Sequence, residues 1–108
     1  MKPIRFCGRS LDVICSFPVV AKRETGYQLD RVQHGFEPVD WKPMPSIGSG
    51  VREIRIIHEG QYRVIYVAKF AEAVYVLHAF QKKTQKTRKQ DIDTAKQALK
   101  QLQNEEER

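Results

Sequence analysis

The chain has 108 residues, 41% hydrophobic and 30% charged, with a formal net charge of +6 and an isoelectric point near 9.5. That length fits one domain, residues 1–108, with a single core; the composition excludes a disordered chain, and no apolar run approaches the roughly eighteen residues of a membrane span or the core of a signal peptide. The positive excess points to an anionic partner, nucleic acid first, and the expected location is the cytoplasm, with Cys7 and Cys15 reduced.

Pro3 to Cys7 alternates apolar and polar residues, as a short strand does. Gly8-Arg9-Ser10 breaks it, and Ser10 is placed to cap a brief helix that turns Leu11, Ile14 and Cys15 inward and stops at Phe17-Pro18. Pro18 opens a second helix, in which Ala21, Thr25, Leu29, Val32 and Phe36 recur at spacings of three and four, and His34-Gly35 supplies the stop. These two helices form a hairpin that needs a sheet to cover.

Residues 37–50 form the long irregular segment, rich in Pro, Gly and Ser. It is expected to be a crossover loop in which Trp41 seals one end of the core, base stacking being the sharper alternative for that ring. From Val51 to Thr87 the chain shows three runs rich in Val, Ile, Tyr and Phe, broken at Glu59-Gly60 and Ala71-Glu72, which predicts an antiparallel meander. A last helix follows, with Thr87 and Gln90 as a capping box and Ile92, Ala95, Leu99 and Leu102 as its apolar stripe; Asn104 to Arg108 is expected to fray.

Cations are concentrated in the meander. Strand parity puts Glu53, Arg55 and Ile57 on one face and Arg63, Ile65, Val67 and Lys69 on one face of the next strand, so the hairpin makes Arg55 and Arg63 neighbours. Two adjacent guanidinium groups repel unless an anion lies between them, and their forks fit phosphate. The plainer account pairs each arginine with Glu53, Glu59 or Glu72 as ordinary surface charge; Arg63→Ala is expected to remove a surface charge with little loss of folding, an unfolded variant marking Arg63 as a structural ion-pair member. Lys82, Lys83, Thr84, Lys86 and Thr87 then mix ammonium and hydroxyl groups as phosphate contacts do. Arg88 and Lys89 follow at a helix start, where the macrodipole opposes them. Arg52 and Lys69 extend the positive set. His78, expected to share its strand face with Val74, Val76 and Phe80, reads as a core-edge histidine first and a base second.

Glu-Ile-Arg-Ile from Glu53, Gly-Gln-Tyr-Arg-Val-Ile-Tyr from Gly60 and Val-Tyr-Val-Leu-His-Ala-Phe-Gln-Lys-Lys-Thr from Val74 resemble the core of the RelE/ParE superfamily of toxins from type II toxin–antitoxin systems. The likeness is to the HigB-type branch, also described as phage Gp49-like proteins, and it includes Asp40-Trp41-Lys42-Pro43-Met44-Pro45. Arg88 departs from it, standing where relatives often carry a proline. The resemblance implies a small α+β RelE-like fold, a twisted, mainly antiparallel sheet with an N-terminal helical hairpin on one face and a C-terminal helix. It also implies a metal-independent, ribosome-dependent mRNA endoribonuclease that uses no cofactor, and a helix-turn-helix antitoxin as partner. On that reading Arg55 and Arg63 stabilise charge, Lys82 or Lys83 holds the phosphate or donates a proton, and Glu53 or His78 is the base, with Tyr66 a further possibility. Arg52, Lys69, Thr84, Lys86 and Arg88 would bind RNA. The alternatives are a ParE-like protein that poisons DNA gyrase without catalysis and a basic RNA-binding module.

Overall fold

The structure, a computed structural model, describes residues 1–106. In chain order the elements are β1 (Ile4–Phe6), α1 (Ser10–Cys15), α2 (Val19–Gln33), β2 (Trp41–Pro43), β3 (Val51–Ile57), β4 (Gln61–Val67), β5 (Val74–Lys82) and α3 (Lys89–Glu106). The five strands form one sheet in the order β1-β5-β4-β3-β2, antiparallel throughout except for β1, which runs parallel to β5. The meander and the three helices follow the sequence pattern. Strand β2 does not, because Trp41-Lys42-Pro43 has no alternation to betray it and is recruited only by pairing with β3.

The sheet divides the interior into two apolar clusters where a single core was expected. On one face Ile54, Ile56, Tyr62, Val64, Tyr66, Val74 and Val76 meet Ile14 and Phe17 and the α2 stripe of Ala21, Leu29 and Val32. On the other, Val51, Ile65, Val67, Leu77 and Phe80 meet Met44 and Ile47 of the loop and Ala95, Leu99 and Leu102 of α3. Helix α2 ends as expected: Gly35 takes a φ of 88°, and the amides of Gly35 and Phe36 donate to the carbonyls of Val32 and Arg31.

Several side chains fall elsewhere than their spacing suggests. Helix α1 is only six residues long, so one flank meets the sheet: Ile14 is buried, while Leu11 and Cys15 are exposed. Ser10 donates to the Val76 carbonyl (3.3 Å) rather than capping its helix. Phe36 lies beyond the end of α2 and is 63% exposed. Trp41, on the edge strand, is half-buried beneath the Arg52 guanidinium, 4.1 Å from the ring centroid. Thr87 does not cap α3; its hydroxyl donates to Glu53 Oε2 (3.4 Å) instead. Asn104 and Glu105 are helical, and Glu107 and Arg108, the end of the segment expected to fray, lie outside the described residues.

A β-bulge changes the parity of β5. The register runs from Gln61↔Lys82 to Ile65↔His78 and resumes at Tyr66↔Val76, so Leu77 is the extra residue. Val74 and Val76 therefore turn to the α1/α2 face, away from His78, whose ring stacks on Phe80 (centroids 5.3 Å apart).

Candidate anion-binding face

Alternate residues of four strands place charge on the face that α3 covers only in part. Arg55 is the direct cross-strand partner of Arg63, Glu53 of Lys42, and Gln61 of Lys82. Arg55 and Arg63, expected from parity to be neighbours, share this face with Glu53 and with Lys82, and β2 adds Lys42.

Burial divides this set. Glu53 is fully buried and Arg63 is 3% exposed. Arg63 Nε lies 3.5 Å from Glu53 Oε1, its Nη1 donates to the Tyr62 carbonyl (3.0 Å) and its Nη2 to Gln61 Oε1 (2.6 Å). Arg55 is exposed and donates through Nε to Asp40 Oδ1 (2.9 Å), with Nη2 2.8 Å from the same oxygen. Of the acidic partners that parity offered, Arg63 therefore takes Glu53, whereas Arg55 takes Asp40, whose backbone carbonyl also accepts from the Arg55 amide. Both arginines carry counter-charges, yet they stay side by side.

Electrostatics bind the set together. Burial lowers the Arg63 pKa, Glu53 opposes that, and Arg55 adds to it; a guanidinium keeps its proton regardless. Lys82 is lowered by burial first and then by the charge of Arg63, with Lys42 and Arg55 adding and Glu53 opposing. An ammonium ion held below its usual value gives up a proton more readily.

The strand end widens into a cleft of about 460 Å³ lined by Gly60, Gln61, Lys82, Lys83, Thr84 and Gln85. Lys83 and Thr84 thus adjoin the paired arginines through Gln61. The Thr84 hydroxyl donates to the Lys86 carbonyl (2.6 Å), which folds the lysine loop back on itself, and the Lys86 side chain is exposed. Arg88 sits 3.6 Å from Asp91 Oδ2 at the start of α3.

Arg52 and Lys69 do not join this face. They line a separate cleft of about 400 Å³ at the end of α2, with Lys2, Phe36, Glu37 and Tyr66. Arg52 has the opposite parity to Arg55, pairs with Glu37 (3.7 Å) and is the cross-strand partner of Tyr66. Tyr66 is 1% exposed, and burial raises its phenol pKa against the pull of Arg52, so it belongs to the core of the other face. His78 is held by Asp91, Nε2 to Oδ1 at 2.8 Å, and lines the cleft between α1 and α3 with Cys7 and Ser10. Its imidazole ties β5 to α3.

Sequence reasoning missed Lys42, Asp40, Gln61 and Asp91. Only Asp40 and Lys42 had a signal, their place in the Asp-Trp-Lys-Pro-Met-Pro segment; the others depend on which strand faces which. Among the described residues no group of three His, Cys, Asp or Glu side chains could hold a metal ion, and no helix is long and apolar enough to cross a membrane. Residues 12–100 match a family model described as phage derived protein Gp49-like (DUF891). No curated protein matches the chain.

Proposed function

Since the chain belongs to the phage-derived Gp49-like family, we propose that it is the toxin of a type II toxin–antitoxin system and cuts mRNA on the ribosome as a metal-independent endoribonuclease, restrained by a helix-turn-helix antitoxin. The observation that carries this reading is the cross-strand pairing of Arg55 with Arg63 on a face that also holds Lys82. The resemblance of the three meander segments to the HigB-type branch of the RelE/ParE superfamily supports it.

In such a reaction the RNA 2′-oxygen forms a bond to phosphorus, the bond to the 5′-oxygen breaks, and a 2′,3′-cyclic phosphate is left. Extra negative charge gathers on the phosphoryl oxygens in between, where the fixed forks of Arg55 and Arg63 act. Lys82 supplies the proton to the departing 5′-oxygen. Glu53 is the carboxylate at the floor of the face, and accepting the 2′-hydroxyl proton requires it to leave Arg63 and Lys42.

That requirement favours one second reading. Glu53 is buried in ion pairs and His78 is engaged by Asp91, so neither candidate base is poised on the face, as suits a module that binds RNA without cutting it. Mapping RNA ends on a translated message separates the two. The nuclease gives new 5′ ends that vanish with Arg55→Ala; growth arrest without new ends removes cleavage, and a supercoiling defect in those cells would indicate gyrase.

A further inference from the structure

The edge strand β2 delivers one cation to the charged face. Lys42 is the cross-strand partner of Glu53, so its side chain rises on the side that carries Arg55 and Arg63. Its Nζ stands 3.8 Å from Glu53 Oε1, outside hydrogen-bond range, and the side chain is 42% exposed. The same Oε1 lies 3.5 Å from Arg63 Nε, and both of those atoms are buried without a hydrogen-bond partner. One carboxylate is therefore shared between two cations and makes close contact with neither.

A lysine serving only as the counter-ion of a buried carboxylate would close onto it, because a charge-assisted hydrogen bond is short and strong. Lys42 instead stands off with its stem half in solvent. It also sits on the opposite side of the β3–β4 pair from Lys82. Three strand steps of about 4.8 Å separate β2 from β5, and the register carries Lys42 through Glu53 and Ile65 to His78, four residues along β5 from Lys82, so the backbones of the two lysines are about 19 Å apart in the sheet, wider than a single phosphate.

We propose that Lys42 is a phosphate-contacting residue of this face, gripping a different phosphate of the RNA strand from the one at Lys82, with Glu53 as the positioning residue that holds its ammonium ion at the rim. The proposal rests on the RNA reading above. It assigns the edge strand a role in substrate binding and predicts that the RNA crosses β2, β3, β4 and β5 on a diagonal rather than running along them.

The test is binding of a 2′-O-methyl RNA oligonucleotide, which lacks the attacking hydroxyl, measured across a salt series. Lys42→Ala should weaken binding and reduce the slope of log affinity against log salt by about 0.7, the share of one phosphate contact on a single strand. Lys42→Arg should restore the slope. Lys100→Ala, on the exposed side of α3, should leave it unchanged. A Lys42→Ala protein with the wild-type slope overturns the proposal and leaves Lys42 a counter-ion, as does a wild type that fails to bind the oligonucleotide. Wild type that binds it but produces no new 5′ ends on a translated message loses the nuclease reading alone.

Discussion

The two faces of the sheet are made from alternate residues of the same strands and do opposite things. The face under α1 and α2 is closed with Ile54, Val64, Val74 and Val76 at zero exposure. The other is closed under α3 by Ile65, Val67 and Leu77, then gives way to Glu53 and Arg63, equally buried but charged. Burying apolar groups stabilises the fold, whereas burying an ion pair roughly cancels its own attraction against lost hydration. The charged part of the second face is therefore not explained by stability.

The sharpest way to break this contrast is to remove one partner of the buried pair. Arg63→Ala leaves Glu53 buried with only the more distant ammonium of Lys42 as counter-charge, so we expect a loss of about 3–5 kcal/mol in urea denaturation. This corrects the expectation that Arg63 is a dispensable surface charge. Ile54→Ala, on the closed face, should cost a similar 2–5 kcal/mol or so for a purely apolar reason. If Arg63→Ala is instead as stable as wild type, the pair is solvated and the contrast fails. Replacing both members together, Glu53→Leu with Arg63→Met, should give stability within about 1–4 kcal/mol of wild type, on the favourable side, while RNA binding is lost. A double variant as unstable as the single one would mean that the pair builds the fold.

Arg55→Ala tests the exposed half of the site. Its partner Asp40 is 43% exposed, so the change should cost less than about 1 kcal/mol in denaturation and yet eliminate new RNA ends. The smallest effect concerns Lys82. Its protonated form is disfavoured, so its titration by NMR should fall below the ordinary lysine value of about 10.4, and Lys42→Ala should move it upward by removing a like charge. A proton donor is lost above its pKa, so cleavage should decline with rising pH earlier than an unperturbed lysine allows. An unmoved Lys82 titration in Lys42→Ala would place the two lysines out of electrostatic reach.

Much of the architecture was legible because local patterns decide it. Period-two runs mark β3, β4 and β5, the spacing of Ala21, Thr25, Leu29 and Val32 marks α2, and a short hairpin fixes Arg55 opposite Arg63. What depends on long-range register was not legible. The extra residue Leu77 reverses the parity of β5 and separates His78 from Val74 and Val76. Lys69 shares the parity of Arg63 but lies beyond the end of β4 at Val67, and it lines another cleft with Arg52, whose parity is opposite to that of Arg55. Lys42 lies in a three-residue strand containing a proline, which carries almost no strand signal, and only its partner Glu53 reveals where it points.

The parallel pairing of β1 with β5 has a kinetic consequence. Seventy residues separate Ile4 from Val74, its partner, whereas β3, β4 and β5 are joined by short connections. Closing so large a loop is entropically costly and slow compared with forming adjacent hairpins. The amides of β3 and β4 should therefore gain protection first in pulse-labelled refolding, and the segment around Ile4–Phe6 should dock late, once a finished β5 offers it an edge.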